Sequence, residues 1–266
     1  MRSNVVILLF ALCLGQTVQP QDIDAGEPIT IKVLSFNILH GATTKGDFNL
    51  DVIAKVIIDA DPDLVALQEV DLLTNRAKKY DLATELGWRT KMSPIFGRAM
   101  YYDDGEYGEA ILSKYSFISS RNVPLPHLSG FEPRAALEIT TVLPSKDTIS
   151  FIGTHLDHVS DDTNRRMQAR RINEVFKTNQ YPTILAGDLN AEPGSTPMKI
   201  LDSVWTSSYN KDKIAYTYPS DEPSKKIDYV LFHPVGKWKV LETKVIQDTI
   251  ASDHCAYLVT LELLKE

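Results

Sequence analysis

The 266-residue chain is poor in cysteine, in positive charge and in long apolar runs. Its two cysteines, Cys13 and Cys255, are too few for a disulfide framework or a cysteine-type zinc cluster. Lys and Arg total 28 against 35 Asp and Glu, a net charge of −7. Such a surface has no overall basic field to hold a long polyanion, although a divalent cation could supply positive charge locally. No G-x-S-x-G elbow occurs, which argues against a serine hydrolase of that type. Internal repeats and low-complexity tracts are also missing.

The longest apolar run, Val5 to Leu14, is too short to span a bilayer comfortably. Arg2 precedes it and the polar "GQTVQPQ" follows, the layout of an export signal ending near residue 20. Residues 21–266 are then expected to form one domain, periplasmic or secreted, without stable membrane insertion and monomeric. Leu12 before Cys13 is not the small residue that favours lipid attachment. Cys13 would leave with the signal, and Cys255 reads as a small buried hydrophobe.

What is present is an ordinary globular composition, 43% hydrophobic and 24% charged. "ITIKVLSFNIL" (29–39) reads as a strand. "NLDVIAKVIIDA" (49–60) has helical spacing with Asn49 as its N-cap. "DLVALQEV" (63–70) is a second strand, and "YDLATELG" a helix ended by Gly87. "GEAILSKYSFISSRNVPLP" reads as paired strands, followed by strands in "PRAALEITTVL" and "TISFIGTHL". "DDTNRRMQARRINEVFKTNQ" (161–180) is the clearest helix, with Met167, Ile172, Val175 and Phe176 on one face. Strands in "PTILAGDLN", "KIDYVLF", "WKVLETKVI" and "HCAYLVTLELL" complete the chain. The expected fold class is α/β (α+β): a four-layer sandwich of two packed mixed β-sheets flanked by helices.

Five strands share an apolar body with an acid, amide or histidine at its end. These are Asn37, Glu69, His155, Asp188 with Asn190, and Asp253 with His254. One such end is usually a turn or cap residue. Five together point to a common edge where a site forms. The oxygen donors suit Mg²⁺ or Mn²⁺ better than zinc. The imidazoles can hold a phosphate oxygen as cations or accept a proton as bases. Asp188 and Asn190, two apart on extended chain, are expected on the same side.

The ordered stretches "LSFNIL", "DLVALQEVD", "YGEAILSK", "GTHLDH", "AGDLNAEP", "KIDYVLF" and "SDHCA" resemble the endonuclease/exonuclease/phosphatase family, from about Ile31 to Leu263. "QEVDLLTNR" and "EYGEAILSK" resemble a secreted bacterial subgroup of it. The resemblance implies a divalent-metal-dependent phosphoesterase, expected to favour phosphodiesters, hydrolysing by in-line attack of an activated water. It implies Glu69 as principal metal ligand with Asn37 beside it and Asp253 supporting the metal. Asp188 would orient or deprotonate the water, and Asn190 would contact the phosphoryl oxygen. His155 would hold a phosphate oxygen, oriented by Glu109. His254 would be the essential imidazole, its tautomer fixed by Asp228. Each imidazole, paired with a carboxylate, would become a better cation.

Arg134 and Arg165 are further candidates for substrate phosphate, with Arg76 behind them. Tyr101, Tyr102, Trp205, Tyr216 and Tyr218 are candidates for a stacking rim. His158 and the charged stretch "SDEPSKK" read as solvated loop. Ser252 is expected to bond locally to backbone. The substrate could be nucleic acid, a lipid head group or a small phosphorylated metabolite. The alternatives are a phosphomonoesterase acting on a sugar or inositol phosphate, and a non-catalytic binding protein on the same scaffold.

Overall fold

The computed structural model describes residues 28–265. The expected export signal and Cys13 lie outside that range. Twelve strands and four α-helices follow in order: β1 (Ile29–Asn37), α1 (Leu50–Ala60), β2 (Leu64–Leu72), α2 (Leu82–Thr90), β3 (Ser93–Tyr102), β4 (Gly105–Ser113), β5 (Phe117–Leu125), β6 (Arg134–Val142), β7 (Thr148–His155), α3 (Thr163–Phe176), β8 (Thr183–Asp188), α4 (Thr196–Asp202), β9 (Thr206–Ser207), β10 (Asp228–His233), β11 (Trp238–Ile246) and β12 (Ala256–Leu263). They form two six-stranded sheets, ordered β11-β12-β1-β2-β4-β3 and β5-β6-β7-β8-β10-β9. The expected four-layer sandwich is therefore the observed architecture.

Each sheet contains one parallel pair, β1 with β2 and β7 with β8. A parallel pair needs a crossover, which α1 and α3 supply. Strands that run the same way end at the same edge. Asn37, His155 and Asp188 thus terminate β1, β7 and β8, and Glu69 lies near the end of β2. The antiparallel neighbours β10 and β12 begin at that edge, which brings in Asp228 and the turn carrying His254.

Side-chain alternation then decides which way these groups point. Ile31 and Val33 on β1, Phe151 on β7, Ile184 and Ala186 on β8, and Val230 and Phe232 on β10 all belong to the core between the sheets. Counting onward by two reaches Asn37, His155 and Asp188; counting back from Val230 reaches Asp228. The site is the polar end of the inter-sheet core. The opposite strand faces pack on the helices: Leu34, Phe36, Val65 and Leu67 under α1 and α2, and Ile152, Leu185 and Leu231 under α3 and α4. Burying a side chain of this size contributes roughly 1.5–3 kcal/mol, so the register is held firmly.

Several local expectations are corrected. Gly87 does not end α2, which continues to Thr90 and is capped by Lys91 in the left-handed region. Gly87 is instead a packing residue, because a Cβ there would meet the Met92 carbonyl at 2.9 Å. β4 and β5 do not pair: β4 lies between β2 and β3, whereas β5 joins β6 in the other sheet. β3 had no reading from sequence. Its burial is mostly partial, so it lacks a clear apolar alternation. On α3 the fully buried apolar residues are Ala169, Ile172 and Phe176, with Met167 and Val175 only half-buried. Asn49 does cap α1, its Oδ1 accepting from the Asp51 amide. Cys255 is fully buried.

Candidate active site

Asp188 occupies the centre of the shared edge. Its Oδ2 lies 3.3 Å from Asn37 Nδ2, 3.5 Å from His155 Nε2 and 3.6 Å from His254 Nε2. His155 and Asp188 are direct register partners on β7 and β8. Gly187 permits that closeness, since a Cβ there would fall 2.0 Å from the Thr154 carbonyl oxygen. Burial raises the Asp188 pKa, with Asp228 adding to the effect and His254 opposing it, to about 7. A carboxylate poised there can give or take a proton near neutrality.

Asn190 reaches the same place by a different route from the one expected. It is not on extended chain: β8 ends at Asp188, and Asn190 is left-handed at φ 45°. Asp188 Oδ1 accepts from the Asn190 amide at 2.9 Å, the hydrogen bond of an Asx turn. Asn190 Nδ2 then donates to the Leu156 carbonyl at 3.0 Å and faces His155 Nε2 at 3.1 Å.

The two histidines have opposite surroundings. His254 Nδ1 lies 3.1 and 3.2 Å from the two carboxylate oxygens of fully buried Asp228. Burial works against charge on His254, but Asp228 and Asp188 outweigh it and push its pKa up to about 10. The ring is an imidazolium at neutral pH, its Nδ1–H on Asp228 and its Nε2–H directed at Asp188. Tyr218 packs over it with ring centroids 4.7 Å apart.

His155 lacks the carboxylate expected at Nδ1. Glu109 does not reach it: both Glu109 carboxyl oxygens are buried without a hydrogen-bond partner. The Arg134 guanidinium stands there instead, with Nη1 3.2 Å from His155 Nδ1 and 3.3 Å from the Tyr107 hydroxyl. Burial first, and Arg134 second, hold the His155 pKa well below its ordinary value. The ring is neutral, with Arg134 Nη1 against Nδ1 and with Asn190 Nδ2 at 3.1 Å and Asp188 Oδ2 at 3.5 Å from Nε2. His155 is therefore not the cation expected of it, and Arg134 carries the positive charge in this half. Burial also pushes the Glu109 carboxyl up to about 8, despite attraction from Arg134.

Glu69 sits at a bulge where β2 slips against β4, with φ 57°. Its Oε1 accepts from Asn37 Nδ2 at 3.2 Å, and Oε2 lies 3.3 Å from His40 Nδ1. Burial alone would raise its pKa. The hydrogen bond from His40, the largest of the opposing influences, brings it down to about 2, so Glu69 is ionised. Asp253, half-buried at the rim, is raised by burial and by repulsion from Glu69. Asp188, Asp228 and His254 each offer a donor atom within 4.8 Å of the others. Four acidic side chains thus crowd one cleft, and two of them resist ionisation. A divalent cation would relieve that crowding, and the oxygen-rich donors suit a hard ion. Glu69 and Asp253 at the rim, with the Asn37 side chain beside Glu69, could hold such an ion.

These groups line or back a cleft of about 750 Å³. Arg134 is 2% exposed and also pairs with Glu132 at 2.9 Å, so it is not a surface ion pair. Arg165 is buried as well. Its Nη1 donates to the carbonyls of Val159 and of Asp157, the latter at 2.8 Å, so it braces the loop after β7. That loop brings His158, exposed as expected, to 3.3 Å from Arg134 Nη2. Arg76 is clamped on buried Asp71 at 2.7 and 2.8 Å and lies over the Tyr102 ring. Tyr102 and Tyr218 line the cleft. Trp205 is core, and Tyr101 and Tyr216 are exposed away from the cleft lining.

Ser252 bonds locally as expected, its Oγ accepting from the His254 amide at 3.1 Å, and it also donates to the Asn37 carbonyl at 2.7 Å, tying the His254 turn to β1. Lys226, read as solvated loop, is fully buried with its Nζ 3.1 Å from the Tyr257 ring centroid. Sequence reasoning missed Tyr107 and His40. Tyr107 lies two residues before Glu109, so strand alternation could have placed it on the same face. His40 follows Asn37 by three in "NILH", outside any regular period.

The family profile described as the endonuclease/exonuclease/phosphatase family matches residues 34–254. An uncharacterized Escherichia coli protein, YbhP, is 26% identical over 229 residues, spanning 78% of this chain and 86% of its own. A Bacteroides thetaiotaomicron crystal structure named for the same family superposes with a TM-score of 0.76 at 20% identity, covering 90% of this chain and 100% of that one. The mannosyl-6-phosphatase Bt3783 of the same organism superposes with a TM-score of 0.71 at 20% identity, covering 87% and 99%.

Proposed function

The chain belongs to the endonuclease/exonuclease/phosphatase family, and from that premise we propose that it is a divalent-metal-dependent hydrolase of small phosphate esters. The observation that carries this reading is the convergence of Asp188 on both imidazoles, with Asn190 and Glu69 in the same cleft. Phosphoryl transfer needs a positioned water, a group to take its proton, and positive charge around the phosphoryl oxygens. Asp188, fixed by Asn37 and by the Asn190 amide, orients the water and takes its proton. The His254 imidazolium donates Nε2–H to a phosphoryl oxygen, and Asp228 holds the ring in that state. His155 donates a neutral N–H, and Arg134 supplies the adjacent cationic charge. A divalent cation, when bound at Glu69 and Asn37, supplies Lewis acidity to the phosphoryl oxygens.

The cleft volume falls in the range of small-molecule sites. Its wall carries Glu132, Asp162 and Glu192 among Arg76, Arg134, Arg165 and Lys225, a mixed lining and not the continuous basic track that a long polyanion needs. A compact phosphorylated sugar or polyol fits that lining better than a polynucleotide. It is also the class of substrate that the name of the mannosyl-6-phosphatase gives for that protein. We propose export of the chain as well, which N-terminal sequencing of the native protein would check by finding a start near residue 20.

The test is a hydrolysis panel on the protein with Mg²⁺, Mn²⁺ or EDTA, beside His254→Ala. It contains sugar and inositol phosphates, p-nitrophenyl phosphate, bis-p-nitrophenyl phosphate, sphingomyelin and plasmid DNA. Turnover of a small ester that EDTA and the substitution both abolish is the expected result. Metal-dependent nicking of DNA with no small-ester turnover would replace the substrate assignment. Metal binding without turnover of any substrate would favour a binding protein on the same scaffold. The diester expected from sequence is decided by the two p-nitrophenyl substrates.

A further inference from the structure

The segment after Asn37 is unusual in its backbone. Leu39, His40 and Gly41 are left-handed in succession, at φ 46°, 45° and 83°. A non-glycine residue in that region costs on the order of 1–3 kcal/mol and persists only where the surroundings enforce it. Glu69 is left-handed too, at φ 57°. The two distorted segments meet where His40 Nδ1 lies 3.3 Å from Glu69 Oε2. Both side chains are about one-quarter exposed and face the same cleft.

That separation has a second meaning. Two adjacent ligands on an octahedral ion, each about 2.1 Å from it, stand about 3 Å apart. A proton closes the His40–Glu69 edge when no cation is there, and a cation could close the same edge. Asn37 Nδ2 lies at a comparable 3.2 Å from the other Glu69 oxygen, so His40 and Asn37 flank the carboxylate. His40 adds a nitrogen donor to a donor set that is otherwise oxygen.

We propose that His40 is a metal ligand of this site, its Nδ1 sharing one divalent cation with Glu69. This rests on the metal-dependent reading above. Imidazole nitrogen favours later first-row ions, whereas an all-oxygen site tolerates Mg²⁺ equally well. The site therefore discriminates in favour of Mn²⁺ over Mg²⁺, and His40 is the source of that preference.

His40→Asn tests it, because asparagine accepts the left-handed backbone better than most residues and offers oxygen in place of imidazole. Mn²⁺ binding to the metal-free protein is followed by the loss of the free-ion electron paramagnetic resonance signal. Mg²⁺ binding is read by competition, and pulsed resonance detects directly bound imidazole nitrogen. A circular dichroism melt of each protein confirms that the variant is folded. In the unmodified protein a nitrogen coupling is expected. In His40→Asn it disappears, and Mn²⁺ affinity falls about tenfold while Mg²⁺ affinity changes little. Nitrogen coupling that survives the substitution, or a Mn²⁺-to-Mg²⁺ preference that does not change, overturns the inference. If the unmodified protein binds no Mn²⁺, the metal-dependent reading falls and this one falls with it.

Discussion

The half of the cleft around His254 and the half around His155 contain the same side chain, equally buried, in opposite protonation states. Both rings point Nε2 at the same Asp188 oxygen, at 3.6 and 3.5 Å. The difference lies at Nδ1, where His254 meets the Asp228 carboxylate and His155 meets the Arg134 guanidinium. Burial disfavours charge on both. Two carboxylates reverse that at His254, and Arg134 reinforces it at His155. A strand-end histidine therefore has no fixed role. Its Nδ1 partner decides whether it is a cation or a neutral donor.

The largest expected effect comes from deleting one ring at a time. His254→Ala should lower kcat/KM on the hydrolysed ester by about 10³ or more, since a charged donor is lost. His155→Ala should cost about 10², since Arg134 remains to hold the phosphoryl group. Equal losses would break the distinction. Asp228→Asn comes next, at about 10² to 10³. Without that carboxylate the His254 pKa falls from about 10 towards 6.5, so the alkaline limb of the kcat/KM profile moves to lower pH. An alkaline limb that stays in place would show that His254 does not carry the titration.

Arg134→Met should move the other ring. Removing the guanidinium lets the His155 pKa rise, although burial still keeps it below 6.5, and imidazole resonances would record an upward shift. The smallest effect concerns Glu109. Its carboxyl titrates near 8 in the fold and near 4.5 when unfolded, so the native state resists an ionisation that the unfolded chain undergoes. The sign follows from linkage: stability is lost as pH rises from 4.5 to 8. Glu109→Gln should remove that loss, gaining on the order of 1–3 kcal/mol relative to the unmodified chain between pH 5 and 8. Urea unfolding at the two values checks it, and a pH-independent difference would contradict it.

The sequence carried the shared edge because strand alternation is regular on β1, β8 and β10. Asn37 and Asp188 follow residues of the inter-sheet core in the two-residue strand period, and Asp228 precedes Val230 and Phe232 in the same period. It did not carry what sits beside His155. Arg134 comes from the start of β6, and only the folded sheet shows that it fills the place expected of Glu109. The bulge at Glu69 and the left-handed run at His40 break the strand period, so their meeting had no periodic signal. Lys226 looked solvated because its neighbours are charged, yet it begins the turn into β10 and packs on Tyr257. Short-range pattern fixed directions along strands. Distant pairings that no motif carried, such as Arg134 with His155, depended on tertiary packing.

The direct test of the two-histidine account is an imidazole titration of the metal-free protein by nuclear magnetic resonance, with His155→Gln and His254→Gln to assign the signals. One ring already neutral at pH 6 and one that stays protonated up to about pH 10 are expected, lost respectively from the two variants. Two rings titrating together near pH 6.5 would contradict it.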